Sequence, residues 1–480
     1  MQRIIDCFVP RGAEEETSKN VEALGDLELV NNVTVVDGSM STSKTLRDIA
    51  AQTEAPYTLL YLKGGYTRMG FLALERMLQI AEATHAGMLF ADHYNVSADG
   101  KRTDAPVIDY QLGSLRDDFD FGSVLLFRTD AFKSAASRMT ADHNAAGLYD
   151  LRLKLAEKEL IEHIPEPLYS EVELDTRKSG EKLFDYVDPR NRASQIEMEA
   201  ACTEYLKEIG AYLRPKFEEV PIDKDDFPVE ASIMIPVRNR IKTVRDAINS
   251  ALSQQTTFPY NVFIVENGPE CHSTDGTTEA IDEYKDDPRV IHLIPQRNDI
   301  GVGGSWNRAA HDERCGRFLV QLDSDDVYSG PDTLQKIVDA FHAQQCAMII
   351  GSYMLTDINM RELPPGKIEH REWTPENGRN NALRINGLGA PRAFFTPILR
   401  TINLPNVNYG EDYALGLAIS RRYQIGRIYD VLYNCRRWDD NSDGDLSREK
   451  TNRYNLYKDR IRTWEVMARI AMQAQNGNAE

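Results

Sequence analysis

Short apolar runs alternate with amphipathic stretches along most of the chain. After residue 229, Ala231-Ser-Ile-Met-Ile-Pro236, Asn261-Val-Phe-Ile-Val265 and Arg317-Phe-Leu-Val-Gln-Leu322 are too short and too apolar for surface helices and predict buried strands. Helical spacing of apolar positions fills the gaps, over Thr243 to Ser253, Thr277 to Tyr284 and Ser305 to Glu313. Strands separated by helices imply βαβ crossovers and a mostly parallel, Rossmann-like sheet.

The first half echoes this order. Val33-Thr-Val-Val-Asp37 stands where Val262-Phe-Ile-Val-Glu266 stands later, and Tyr57 to Leu62 followed by a helix at Phe71 to Ala81 parallels Arg317 to Leu322 followed by Leu334 to Phe341. Gly147-Leu-Tyr-Asp150 and then Pro167-Leu-Tyr169 match Gly410-Glu-Asp412 and then Val431-Leu-Tyr433. The repeat predicts an α/β protein of two tandem copies of one domain. Ile196, Met198, Tyr205, Leu206, Ile209 and Leu213 recur at helical spacing, and Pro215 to Pro228 holds three prolines and a run of acids. The domains are therefore expected at 1–190 and 229–480, joined over 191–228 by a helix and a Pro-rich linker.

Composition narrows the function. The 480 residues are 41% hydrophobic and 27% charged, as in globular proteins, and the net charge of −19 repels phosphate backbones. Nucleic acid is excluded as a general partner, and any nucleotide must be held by local cations or a bridging metal. Six cysteines with no CxxC pair match neither a zinc site nor a disulfide framework. The first residues lack a signal-peptide pattern, and no apolar run reaches the ~18 residues of a membrane span. A cytoplasmic location is the expectation.

The sharpest chemical feature is Gln321-Leu-Asp323-Ser324-Asp325-Asp326. Carboxylates in the turn after a strand leave a parallel sheet at the edge where such sheets bind ligands, and oxygen donors suit Mg²⁺ or Mn²⁺ bridging to substrate phosphates. Four further segments fall in order around it. Ile235-Pro236-Val237-Arg238-Asn239-Arg240 closes the first strand, Glu266 ends the second, Asn298 to Asn307 is a Gly-rich loop opening a helix, and Gly410-Glu411-Asp412 begins another helix.

From Ala231 onward these segments resemble the family 2 glycosyltransferases with a GT-A fold. The resemblance implies an inverting, metal-dependent transfer from a UDP- or GDP-type nucleotide sugar to a glycan or lipid-linked hydroxyl acceptor. It places Pro236, Val237, Arg238 and Glu266 around the nucleoside and Asn298 on the neighbouring wall. Asp323, Ser324 and Asp325 would face the ribose and the metal, and Asp412 beside Glu411 would take the acceptor proton. Arg436 or Arg437, in Tyr433-Asn-Cys-Arg436-Arg437-Trp438, would clamp the leaving diphosphate.

Two patterns compete with that reading. Gly301-Val-Gly303-Gly304-Ser-Trp306 imitates a dinucleotide fingerprint and would suit an oxidoreductase, although Trp306 stands at the third glycine position. Asp439 to Asp445 imitates a calcium loop whose twelfth position is Lys450, so a loop that orders over donor fits better. A non-catalytic carbohydrate-binding scaffold is the remaining alternative.

In the first copy, Lys63-Gly64-Gly65 stands where the carboxylate motif is expected, while Asp37 and Asp150 survive. That copy reads as degenerate, a scaffold or acceptor holder, or else as a metal-independent site in which Lys63 neutralises a diphosphate. Near the C-terminus, Tyr454, Tyr457, Ile461, Trp464, Ala468 and Ala471 recur at three-four spacing with Lys458, Arg460, Arg462 and Arg469 between them. This helix either packs on its own domain or rests peripherally on the anionic inner face of a membrane.

Overall fold

The computed structural model describes residues 3–97, 99–172, 191–268, 270–371, 373–438 and 447–477. The chain forms two compact units, Met1–Tyr212 with Leu446–Glu480, and Leu213–Asp445.

The strands of the first unit are β1 (Ile5–Pro10), β2 (Val30–Val36), β3 (Tyr57–Tyr61), β4 (Thr67–Met69), β5 (Met88–Val96), β6 (Arg102–Ala105), β7 (Val124–Arg128) and β8 (Ile161–Val172). They pair in the order β2-β1-β3-β7-β5-β8-β4, with β6 on β5. Alternate side chains along β1 enter different cores, Phe8 with Leu46, Leu60 and Phe90 on one face, and Ile5, Cys7 and Val9 with Leu59, Leu74 and Met77 on the other. A sheet buried on both faces reads as the continuous apolar runs that mark its strands.

The second unit holds β9 (Ala231–Val237), β10 (Tyr260–Glu266), β11 (Val290–Leu293), β12 (Phe318–Gln321), β13 (Val327–Tyr328), β14 (Met348–Asp357), β15 (Glu362–Ile368), β16 (Arg392–Phe395) and β17 (Ile425–Arg437). Their order is β11-β10-β9-β12-β16-β14-β17-β13, with β15 on β14. Apart from β11 at one edge, this repeats the first sheet strand for strand. Direction repeats too: β3 with β7 and β12 with β16 are antiparallel, whereas β5 with β8 and β14 with β17 are parallel.

Both sheets are thus mixed rather than mostly parallel. The parallel half, β10-β9-β12, is the part the apolar runs predict. The antiparallel insertion of the four-residue β16 between β12 and β14 breaks the pattern, because its strand follows a long excursion rather than a crossover helix.

The Pro-rich stretch expected as a linker is docked on the second unit. Val220 and Ile222 are buried, the Glu218 amide donates to Arg422 O (2.9 Å), and Arg379 donates to Arg214 O and Lys216 O (both 2.8 Å). The helix Arg192–Glu208 belongs to the first unit, where Glu204 and Glu208 both hold Lys154.

The helix Arg448–Gly477 also lies in the first unit, not as an extension of the second. The Gly113 amide donates to Thr463 Oγ1 (2.9 Å) and Ser114 Oγ to Asp459 Oδ2 (3.0 Å). Lys458, Arg462 and Arg469 are buried, Arg462 and Arg469 pairing with Asp459 and Glu465, while Arg460 is exposed. Ile461 is buried and Trp464 is 57% exposed, so ion pairing within one helix, which apolar spacing does not report, breaks up both expected faces. No described helix is long and apolar enough to cross a membrane.

Candidate active site

The turn Leu322–Asp326 leaves β12 at its C-terminal end and is tied from three sides. Tyr433 on β17 accepts from the Asp323 amide (2.9 Å), and Tyr328 donates to Gln321 O (2.9 Å). Arg436 donates its amide to Asp326 Oδ1 (2.7 Å) and its Nε to Asp325 O (2.6 Å), while its Nη1 pairs with Asp246 (2.8 Å). Arg436 is buried and fixes the turn from beneath. Its amide and Nε serve the turn, Nη1 serves Asp246, and among the described residues Nη2 has no hydrogen-bond partner. Arg437 ends β17 in register with Asp357.

The carboxylates crowd one another. Burial raises the pKa of Asp323, with the Arg392 charge opposing and Asp325 adding to the rise. Burial and then the charges of Asp325 and Asp323 push Asp326 well up. Asp325 Oδ2 lies 3.4 Å from Trp438 Nε1 and 3.6 Å from Arg240 Nε. Arg240 and Lys242 lie over the Trp438 ring, at 5.9 and 5.6 Å from its centroid. Crowded hard-oxygen donors beside a cationic rim fit a divalent ion shared with substrate phosphates, which needs only one or two protein carboxylates. Among the described residues no group of three or more His, Cys, Asp or Glu forms a closed metal cage.

The helix Glu411–Ser420 brings the second pair of acids. Asp412 Oδ2 is 2.7 Å from Arg392 Nη1, at the start of β16. Arg392 also donates Nη1 to Gly389 O (2.8 Å) and its amide to Gln321 Oε1 (3.1 Å), and Gln321 Nε2 donates to Asp323 Oδ2 (2.8 Å). Burial, then the charge of Asp412, raises the Glu411 carboxyl to about 8. Gln321, Arg392, Arg240 and Tyr433 were not assigned roles from sequence. Each reads alone as an ordinary strand or turn residue.

The Gly-rich loop is packed against the chain's own backbone. Gly301 and Val302 donate their amides to Asn406 Oδ1 (2.8 Å) and Asn408 Oδ1 (3.0 Å), and Gly303 donates to Val407 O (3.0 Å). A Cβ on Gly303 would lie 1.9 Å from Pro405 O, and one on Gly304 2.3 Å from Asn406 Oδ1. The backbone that approaches these glycines is the chain's own 405–408 strap, which leads into Gly410-Glu411-Asp412. With those amides occupied, the helix N-terminus offers no dinucleotide phosphate cradle.

Glu266 is fully buried and accepts from the Ser273 amide, from Thr278 Oγ1 (3.1 Å) and from His292 Nε2 (2.9 Å). Burial alone would raise its pKa, but these bonds outweigh it and hold it low. Glu266 therefore braces the 267–278 loop from within. Pro236 and Val237 are buried at the end of β9, and Arg238 pairs with Glu270 (2.9 Å) beside Gly268. Ser324 is buried inside the turn. Asn298 is exposed, and among the described residues no hydrogen bond joins it to the carboxylates. The 439–445 loop lies outside the described residues.

In the first unit the corresponding edge is altered. Met88 and Met348 occupy the same register through Phe127 and Phe394, which equates Leu62, Lys63 and Gly64 with Asp323, Ser324 and Asp325, one residue earlier than expected. Lys63 pairs with buried Glu171 (2.8 Å), whose carboxyl the His93 bond and the Lys63 charge pull down to about 2 against its burial. Tyr149 and Tyr413 each donate to a backbone carbonyl, Leu115 O and Ala382 O, and the first helical bonds run from Asp150 to Ala146 and from Ala414 to Gly410. Asp150 thus corresponds to Ala414, and Leu148 to Asp412. The expected pairing of Asp150 with Asp412 is off by two positions.

The half-parallel α/β sheet thus carries crowded carboxylates after β12, joined through Arg392 to the acids at the start of the helix Glu411–Ser420. Residues 232–402 are a Glycosyl transferase family 2 domain, and the N-terminal unit is a second α/β domain of similar topology. The family match covers about a third of the chain. The chain is 28% identical over 194 residues to the putative teichuronic acid biosynthesis glycosyltransferase TuaG of Bacillus subtilis, covering 40% of this chain and 72% of that protein. It is 23% identical over 218 residues to the poly(ribitol-phosphate) beta-glucosyltransferase of Bacillus spizizenii, covering 44% of this chain and 33% of that protein. Among solved structures, S. aureus TarS 1-349 in complex with UDP-GlcNAc aligns at TM-score 0.38 and 22% identity, over 51% of this chain and 66% of that one.

Proposed function

We propose that the second unit catalyses metal-dependent, inverting transfer of a sugar from a UDP- or GDP-type nucleotide sugar to a hydroxyl acceptor, glycan or lipid-linked, in polysaccharide assembly. The observation that carries this reading is the meeting of two carboxylate groups across Arg392, the Asp323–Asp325 turn on one side and Asp412 on the other. The family 2 match over 232–402 and the similarity to a putative teichuronic acid glycosyltransferase support it.

Asp325, with Asp323, would hold Mn²⁺ or Mg²⁺. When bound, the ion supplies Lewis-acid stabilisation of charge on the departing diphosphate. Arg240 and Lys242 form the cationic rim on the same side, the role expected of Arg436 and Arg437. Asp412 takes the acceptor proton as the oxygen attacks, and one positioned carboxylate suffices for direct displacement with inversion. Pro236, Val237 and Arg238 line the nucleoside side, with Glu266 bracing the loop beneath, and Asn298 borders it.

The test is nucleoside diphosphate release from UDP-glucose, UDP-N-acetylglucosamine and GDP-mannose by the full chain with MnCl₂. One donor should be consumed, with activity lost in EDTA and restored by metal. Asp325→Ala and Asp412→Asn should each abolish turnover, while Asp412→Asn still binds UDP. Wild-type rates in either variant would overturn the assignment, and NAD(P) binding without metal would favour the oxidoreductase.

A further inference from the structure

Arg392 connects the two halves of the site. Its guanidinium holds Asp412 at 2.7 Å and Gly389 O at 2.8 Å, its amide meets Gln321 Oε1 at 3.1 Å, and Gln321 Nε2 meets Asp323 at 2.8 Å. A continuous polar path, Asp412–Arg392–Gln321–Asp323, therefore runs from the base helix through two neighbouring strands to the metal turn. The charges of Asp412, Asp323 and Glu411 all act on Arg392 in the same direction, raising its pKa against its burial.

The internal repeat supplies a comparison within one chain. The registers that equate Phe127 with Phe394 and Thr58 with Leu319 place Leu60 at Gln321, Leu62 at Asp323 and Leu125 at Arg392. The helix register places Leu148 at Asp412. All four polar members of the path are leucine in the first unit, and these leucines gather in a single apolar cluster, Leu60 and Leu125 in the core with Leu62 and Leu148 packed against it. A residue serving only the fold of its strand would have no reason to change character together with two carboxylates.

We propose that Arg392, acting through Gln321, is a positioning residue that sets Asp412 against the donor bound at Asp323 and Asp325. The inference rests on the transfer reading above. A single guanidinium nitrogen, Nη1, reaches both Gly389 O and Asp412, so the carbonyl anchors the group that holds the carboxylate. A lysine at this position supplies the charge on a more flexible stem, without the planar guanidinium. Misplacing a catalytic group by about 1 Å is enough to cost on the order of 10²-fold in rate.

The experiment compares Arg392→Gln, Arg392→Lys and Gln321→Leu in the full chain, using hydrolysis of whichever nucleotide sugar the wild type consumes, together with UDP affinity and thermal melting. The expected result is a kcat for Arg392→Gln lower by roughly 100-fold, with donor KM and UDP affinity close to wild type and partial recovery in Arg392→Lys. Gln321→Leu, a residue the first unit already carries at that register, should lower kcat in the same manner without unfolding, so it carries the test if Arg392→Gln does not fold. Wild-type kcat in Gln321→Leu and Arg392→Gln overturns the inference, as does a parallel loss of kcat, UDP affinity and melting temperature that lysine does not recover. A wild-type chain inert to every donor would remove the transfer reading and this inference together, whereas an active wild type with unaffected variants removes the inference alone.

Discussion

Burial and like charge act on the same carboxyl at Glu411. Its Oε2 is buried with no hydrogen-bond partner among the described residues, and Asp412 and Asp323 add their charge to that burial, so its pKa rises to about 8 although Arg392 pulls the other way. A carboxyl protonated in the fold and ionised in the unfolded chain stabilises below its ordinary pKa of about 4.3, and that contribution is lost as pH rises through 8. Melting temperature in EDTA should therefore fall from pH 5 to pH 8.5 more steeply in the wild type than in Glu411→Gln. The variant should be relatively more stable at the alkaline end. An equal difference at both ends would show that Glu411 titrates normally. The same physics acts on Asp150, both of whose oxygens are buried without hydrogen-bond partners among the described residues and whose carboxyl rises to about 6 through burial, with Lys154 and His143 opposing. Neither shift is legible in sequence, because an acid near a helix start is ordinarily solvated and favoured by the dipole.

At the scale of elements, the glycine helix Val302–Ala310 and the 405–408 strap form one device. The glycines permit backbone-to-backbone contact, and the strap they admit delivers Asp412. Gly303→Ala sets a Cβ against Pro405 O, a backbone atom that cannot rotate away. Overpacking of this kind costs typically about 1–3 kcal/mol, and displacement of the strap should lower turnover beyond the loss of stability. Denaturant unfolding and kcat measured together check this. Gly25→Ala, where nothing lies within 4 Å, serves as the control and should leave turnover unchanged. The glycine motif was plain in the sequence, but its partner lies about a hundred residues downstream, and a local pattern cannot distinguish ligand from chain. The strands divide likewise. Ile, Val and Phe runs reveal β9, β10 and β12, which are buried on both faces, whereas β16, four residues long and headed by Arg392, gives no periodic signal. Missing β16 meant missing both the mixed character of the sheet and the residue that joins its site.

Across the whole molecule, two sheets of one topology differ in what occupies their C-terminal edges. The second carries Gln321, Asp323, Arg392 and Asp412, and the first carries Leu60, Leu62, Leu125 and Leu148. The repeat was legible because apolar runs recur in the same order. The exact equivalences were not, since the motif alignments slipped by one residue at Lys63 and by two at Asp150, and cross-strand register was needed to correct them. The consequence is a stoichiometry. A chain of net charge −19 holds an anionic diphosphate only through local cations or a recruited metal, and the first unit has apolar packing where the second has its carboxylates. Lys63, the cation at this edge, has its ammonium paired with Glu171. Titration of the full chain with UDP and Mn²⁺ should therefore give one site, abolished by Asp325→Ala, and Lys63→Ala should leave both binding and turnover intact. That variant should lower the melting temperature, since it takes the Lys63 ammonium away from the buried Glu171 carboxylate. Two equivalent UDP sites, or loss of turnover in Lys63→Ala with UDP affinity retained, would give the first unit an active part in the reaction.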